Sequence, residues 1–241
     1  MELIIIRHGQ SANNALVDIG NREVDPPLTE LGKRQAEVLA QHLSEGANHE
    51  LPVDEPIRNA KFQLRRGFGI TSLFTSAMYR SLQTVQPVAR SLGLDPQIWV
   101  DLHEEGGMYL DHGGDRGMVG YPGRSRSEIE VEFPGYQLPC EITERGWWTQ
   151  GHEEMAEVAT RADRVSKQLK EMSGLEEKVA IITHGFFIDF LLKAVLGHGS
   201  REDIFYRHHN TAISRLSMRP GERVDVLSLN RVDHLGPDLV S

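Results

Sequence analysis

The chain has 241 residues, 39% of them hydrophobic and 25% charged, which suits one large domain or two small ones with a proper core. A net charge of −9 argues against nonspecific binding to nucleic acid or to anionic membranes. Cys140 is the only cysteine, so an intrachain disulfide and a cysteine-based metal cluster are excluded; with no signal-like segment and no run of 18 apolar residues, a cytoplasmic protein is expected.

In chain order, Leu3 to Ile6 is a short apolar run rich in β-branched residues, the pattern of a fully buried strand. It runs into Arg7-His8-Gly9, where glycine allows a sharp turn. A polar loop leads to Pro26-Pro27, and Thr29 then stands as the N-cap of a helix with Ala36, Leu39, Ala40 and Leu43 on one face. Residues 45–69 lose this periodicity and read as an irregular, solvated insertion. Ile70 to Thr75 forms the second strand pattern. A helix follows at once, with Arg80 in its first turn, Leu82, Val85, Val88, Ala89 and Leu92 on its apolar face, and Gly93 at its end. Ile98 to Val100 reads as a third strand leading into Leu102-His103-Glu104-Glu105.

Residues 106–146 hold nine glycines and three prolines, and only Ser125 to Phe133 has a helical pattern. Long irregular segments in compact domains tend to be binding loops, so this one is expected to form a lid. A long helix from Glu153 to Met172 follows, with Met155, Val158, Ala159, Ala162, Val165 and Leu169 on its inner face. Lys178 to Thr183 is a buried strand that ends in His184-Gly185, and Phe186 to Leu196 is an apolar helix. Thr211 to Met218 and Val224 to Leu229 read as strands joined by a Pro220-Gly221 turn, and the last dozen residues are expected to be loosely held. Strands alternating with helices imply an α/β sandwich with a mostly parallel sheet.

In such a sheet the strand tips open onto one edge. Two strands end in His-Gly, a third leads to Arg80 and a fourth to Glu104. Two guanidiniums clamp a phosphate well, and their charge keeps His8 neutral and nucleophilic. His184 can donate to a phosphoryl oxygen, and the helix starting at Gly185 aims free N–H groups at the same anion. Glu104 suits the general acid for a leaving alcohol and then the base for water.

The same residues resemble the histidine phosphatase superfamily, also called the phosphoglycerate mutase-like family. Its Arg-His-Gly-x-Ser/Thr opening stands as Arg7-His8-Gly9-Gln10-Ser11, followed by Asn14. Its Pro-Leu-Thr-x-x-Gly-x-x-Gln-Ala stands as Pro27 to Ala36. Its Ser-x-x-x-x-Arg-x-x-Gln-Thr resembles Ser76 to Thr84, with three residues instead of four between Ser76 and Arg80. The late His-Gly is His184-Gly185, and Asn210-Thr211-Ala212-Ile213 resembles the entry to the last strands. The matches run from residue 3 to about 218 and leave 45–69 and 106–146 uncovered.

The resemblance implies a three-layer α/β/α fold over a single domain, residues 1–241, with insertions near 45–69 and 106–146. It also implies a phosphohistidine on His8, a phosphate pocket of Arg7, Arg80 and His184 with Asn14 beside it, and no metal or organic cofactor. The family's Leu-x-Glu fits Leu102-His103-Glu104 and favours Glu104 as the acid over Glu105, which points away if the stretch is extended. The expected activity is a phosphomonoester hydrolase acting on a small phosphorylated substrate. A phosphoglycerate-type mutase and a noncatalytic phospho-ligand-binding module are the alternatives. No nucleic-acid or membrane partner is expected, and dimerisation stays open.

Of the remaining features, His103, His112, His152, His208 and His209 lack metal-ligand spacing, though His208-His209 can border the pocket. Trp147-Trp148 and Phe186-Phe187 read as packing residues rather than a ligand platform. Arg116, Arg124 and Arg126 are either anion contacts from the lid or a solvated basic cluster.

Overall fold

The computed structural model describes residues 1–50, 63–174, 178–219, 221 and 223–241. The strands are β1 (Glu2–Arg7), β2 (Ala47–Glu50), β3 (Gln63–Arg66), β4 (Ser72–Thr75), β5 (Gln97–Ile98), β6 (Tyr109–Asp111), β7 (Met118–Gly120), β8 (Lys178–Thr183), β9 (Ile213–Met218) and β10 (Val224–Arg231). The helices are α1 (Glu30–Glu45), α2 (Tyr79–Leu92), α3 (Arg126–Glu132), α4 (Met155–Met172) and α5 (Gly185–Leu196).

A six-stranded sheet runs β10-β9-β1-β8-β4-β5. β1, β8, β4 and β5 are mutually parallel neighbours, while β9 and β10 add an antiparallel edge. β1 and β8 read as unbroken apolar runs because both faces of the sheet are covered. The side-chain period of two divides them cleanly. Leu3, Ile5, Val179 and Ile181 join the core under α4 and α5. Ile4, Ile6, Ala180 and Ile182 join the core under α1 and α2. This is the three-layer sandwich expected from the sequence. Each fully buried Ile or Leu contributes roughly 1.5–3 kcal/mol relative to exposure, so β1 is held mainly by its side chains.

Caps follow the sequence signals. Thr29 accepts a hydrogen bond from the Gly32 N–H at 3.0 Å, and Gly93 closes α2 in the left-handed conformation at φ 66°. Gly9 corrects the expectation of a glycine-demanding turn: it is not among the residues with positive φ. A Cβ there would meet the Gly32 carbonyl oxygen at 2.7 Å, so glycine is needed for the close approach of this loop to the first turn of α1.

Five further expectations need correction. The ends of the 45–69 stretch are an antiparallel ladder pairing Ala47 with Arg66 through to Glu50 with Gln63; Pro52 and Pro56 lie outside the described residues. The third strand stops at Ile98, and Val100–Leu102 is a single 3-10 turn. Met155 is 53% exposed, because α4 begins there with Glu154 as its cap and the inner face starts at Val158. The chain's last residues are pinned: the Asn210 N–H donates to the Ser241 carbonyl at 2.9 Å, and Gln35 Nε2 donates to the Leu239 carbonyl at 2.7 Å.

The glycine-rich segment is the fifth correction. It has its own apolar interior, with Met108, Ile129, Phe133, Ile142, Trp147 and Trp148 packed on Ala77, Met78 and Leu82 at the start of α2. Gly107 sits at φ 73° and a Cβ there would collide with the Trp148 ring. The Tyr136 hydroxyl donates to the Leu82 carbonyl at 2.9 Å. The segment is therefore a packed wall beside α2, and of its residues Gly107 and Tyr109 line the central cavity.

Candidate active site

The carboxyl ends of the four parallel strands converge on one cavity of about 540 Å³. His8 follows β1 and is 2% exposed. Its backbone is locked on every side. Its N–H donates to the Thr183 carbonyl at 2.9 Å, and its carbonyl accepts from Asn210 Nδ2 at 3.0 Å. The next N–H, of Gly9, donates to Thr84 Oγ1 at 3.0 Å, and that hydroxyl donates to the Arg80 carbonyl at 2.6 Å.

His8 Nδ1 lies 2.6 Å from the Gly9 carbonyl oxygen. A carbonyl only accepts, so Nδ1 carries the proton and Nε2 keeps its lone pair. Arg80 Nε donates to that lone pair at 3.2 Å. Burial first, then the charges of Arg80 and Arg7, hold the His8 imidazole well below the usual histidine range. Loss of solvent, more than the arginine charge expected from the sequence, is the larger cause.

His184, after β8, stacks obliquely against His8 with ring centroids 4.9 Å apart. Its Nε2 meets Ser76 Oγ at 2.9 Å and Ser81 Oγ at 3.3 Å. Its Nδ1 is buried and has no hydrogen-bond partner among the described residues. Burial and the neighbouring Arg80 push its pKa well down too. Arg7 donates from Nη1 to the His208 carbonyl at 2.7 Å, while its buried Nε has no hydrogen-bond partner among the described residues. Arg80 is steered from behind by buried-side Asp25, whose Oδ1 is 4.0 Å from Nη1 and accepts the Tyr79 N–H at 2.9 Å. Asn14 lies at the rim, where its Oδ1 accepts from the Ser11 N–H at 3.2 Å and from Asn210 Nδ2 at 3.3 Å. Gly185 opens α5, and a Cβ there would press on Arg7 Nε at 3.2 Å.

Both glutamates line the cavity, which corrects the idea that Glu105 points away. The 3-10 turn before them breaks strand alternation. Glu104 Oε1 accepts the N–H groups of Phe187 and Glu105, each at 3.0 Å, and its charge is felt by both Arg7 and Arg80. Glu105 lies near Tyr109 and His152; burial, then the charge of Glu104, raises its pKa.

The structure thus brings His8, Arg7, Arg80, His184, Glu104, Asn14 and Gly185 together around one cavity. Other expectations resolve differently. Arg124 pairs with Glu132 at 2.6 Å and lies 3.7 Å over the Tyr79 ring, and Arg126 donates to the Ile142 and Pro139 carbonyls. These two hold the wall together instead of meeting an anion. His208 does border the cavity, Trp147 and Trp148 are packing residues, and Phe187 is fully buried. Phe186 departs from expectation and lines the cavity half exposed. The sequence reading passed over Asp25, Ser81, Asn210, Phe205 and Arg207; of these, Asn210 alone had a readable signal, its place in a family motif.

The sequence profile of the histidine phosphatase superfamily (branch 1) matches residues 3–51 and 57–231. The chain belongs to this superfamily. As a histidine phosphatase-family protein it is 24% identical over 216 residues to a probable phosphoglycerate mutase, GpmB, of Yersinia enterocolitica, covering 90% of this chain and 84% of the relative. Among solved structures, a putative α-ribazole-5′-phosphate phosphatase of Escherichia coli superposes with a TM-score of 0.61 at 18% identity, covering 96% of each chain. A mycobacterial glucosyl-3-phosphoglycerate phosphatase in complex with VO3 superposes with a TM-score of 0.57 at 19% identity, covering 96% of this chain and 99% of that one. These structural likenesses establish the shared histidine phosphatase fold. Among the described residues no helix is long and apolar enough to cross a membrane.

Proposed function

We propose that this chain is a phosphomonoester hydrolase that works through a phosphohistidine on His8. The observation that carries the reading is the unprotonated Nε2 of His8, its tautomer fixed by the Gly9 carbonyl at Nδ1, with the Arg80 Nε–H donating to it and Arg7 and His184 beside it. In the first step Nε2 attacks phosphorus, the N–P bond forms, the P–O bond to the alcohol breaks, and Glu104 gives the departing oxygen its proton. In the second, Glu104 takes a proton from water, the hydroxyl attacks phosphorus, the N–P bond breaks and inorganic phosphate leaves. The unpartnered Arg7 Nε and His184 Nδ1, with the first N–H groups of α5, supply donors for the phosphoryl oxygens. Glu104 is assigned the proton because its charge couples to both arginines at the phosphate pole, whereas neither arginine acts on Glu105, whose charged neighbours are Glu104, His152, Glu153 and Arg22.

The expected result is release of inorganic phosphate from p-nitrophenyl phosphate, lowered at least about 10³-fold in His8→Ala. Equal rates in the two proteins would remove the proposal. The acid assignment is tested by leaving group: Glu104→Gln slows alkyl phosphates far more than p-nitrophenyl phosphate, whose phenolate needs no proton, and Glu105→Gln does not discriminate. A mutase reading draws on the Yersinia relative's name. Transfer of isotopic phosphate between positions of phosphoglycerate, in preference to release, would favour it.

A further inference from the structure

Apart from the phosphate pole, the cavity has an aromatic wall. Phe186 and Phe205 both line it, and each is 48% exposed. Among the described residues they are the two phenylalanines left on the exposed side; the others are buried or partly buried. They come from different parts of the chain, the first turn of α5 and the loop beyond it, yet their rings meet edge to face at 5.4 Å. Leaving two such rings in water is unfavourable unless something covers them.

The exposure of Phe205 is not slack in a loop. The N–H of the next residue, Tyr206, donates to Asp189 Oδ1 at 2.8 Å. Asp189 is itself buried and paired with buried Lys193 at 2.7 Å. The Tyr206 hydroxyl lies 2.9 Å from His198 Nδ1. Arg207, whose guanidinium carbon lies 5.9 Å from the centre of the Phe205 ring, also lines the cavity. The ring is therefore held out from α5 by a fixed anchor. Phe186 lies next to Phe187, whose N–H is bound by Glu104, so the aromatic pair flanks the position where the leaving alcohol would take its proton. Val24, Pro26 and Met78 are also among the residues that line the cavity. A volume of about 540 Å³ is several times what a phosphoryl group alone fills and lies in the range of small-molecule sites.

We infer that the substrate is a phosphomonoester of an alcohol carrying a flat aromatic group, which packs on Phe186 and Phe205 while the phosphate lies at His8. This rests on the proposed hydrolase reading and specifies its substrate class. Aromatic contacts of this kind are sequence-independent π-surface contacts, so a simple arene and a heterocyclic base both satisfy them.

The test compares three esters of primary alcohols with similar leaving groups: 2-phenylethyl, 2-cyclohexylethyl and n-propyl phosphate. The 2-phenylethyl ester is expected to show kcat/KM about tenfold above n-propyl phosphate, and above the cyclohexyl ester. Phe205→Ala brings the phenylethyl-to-propyl ratio toward one, and Phe205→Trp keeps it. Because the readout is a ratio within one protein, partial loss of folded material does not mimic the effect. Adenosine 5′-monophosphate distinguishes a base from an arene, and preference for either over n-propyl phosphate supports the inference. Equal turnover of all the esters, still abolished by His8→Ala, overturns the substrate class and leaves the hydrolase reading standing. Absence of His8-dependent phosphate release from every ester overturns both.

Discussion

Two buried charge clusters share the segment 101–105, and they are built on opposite terms. Behind the segment, Arg161 is saturated: Nε and Nη2 hold both oxygens of Glu153 at 2.8 and 2.7 Å, and Nη1 donates to the carbonyls of Asp101 and His103 at 2.7 and 2.9 Å. Its guanidinium also lies 4.2 Å from the Phe187 ring centre. In front, Arg7 Nε and His184 Nδ1 have no partner among the described residues, and Arg80 spends its Nε on the lone pair of His8. Cations and imidazoles buried without an anion are destabilising, because each has given up water for little in return. The contrast separates scaffold from receptor. The satisfied cluster fixes the backbone that carries Glu104; the unsatisfied one, on the proposed hydrolase reading, keeps donors in place for a dianion.

The largest effect that would break this comparison is on stability. Arg161→Met leaves the Glu153 carboxylate buried beside His103 without its cation, which should cost about 3–5 kcal/mol of unfolding free energy in urea titration. Removing both charges, as Arg161→Met with Glu153→Leu, should recover most of that loss. If the single and double variants were equally destabilised, packing rather than charge would be the scaffold's contribution.

The corresponding change in front should act on the other axis. Arg80→Met removes a cation that burial disfavours and Arg7 opposes, and that the charges of Glu104 and, 4.0 Å away, Asp25 favour. The urea midpoint is expected to move by less than the equivalent of about 1 kcal/mol, while kcat/KM for phosphate release drops about 10²–10³-fold. A large loss of stability without loss of rate would reverse the assignment of the two clusters.

The two clusters were unequally legible in the sequence. His8, His184 and Arg80 stand at strand or helix junctions, where parallel topology alone predicts convergence, and the structure brings them together. Glu153 and Arg161 carry no such signal, since a pair eight residues apart on and before a helix reads as surface charge until tertiary packing buries it. The glycine-rich segment misled for a related reason. Its glycines at positive φ look like freedom, but Gly107 and Gly123 are places where Trp148 and Trp147 press directly on the backbone. Phe205 was invisible because its position depends on an anchor, Asp189, supplied by another element.

The smallest effect sharpens the comparison through pH. His8 and His184 have pKa values depressed below the unfolded value of about 6.5, so the unfolded chain binds the extra protons first. Their contribution to stability is fully present above that pH and is lost as pH falls below it. Glu153 is depressed to about 2, so its contribution holds above the ordinary glutamate range and is lost only as pH falls through that range toward 2. Urea midpoints should therefore begin to decline on acidification below about pH 6.5 through the histidines, with Glu153 adding to the decline below the ordinary glutamate range. His8→Gln, which cannot take up the proton, should shallow the decline that sets in below about pH 6.5 and leave the Glu153 part in place. Glu153→Gln should do the reverse. The same depression keeps His8 unprotonated below the usual histidine range, so kcat/KM should show no loss on the acid side near pH 6.5. A fall in rate centred there would mean that burial and the two arginines do not hold the imidazole neutral, and the front cluster would lose the feature that distinguishes it from the one behind.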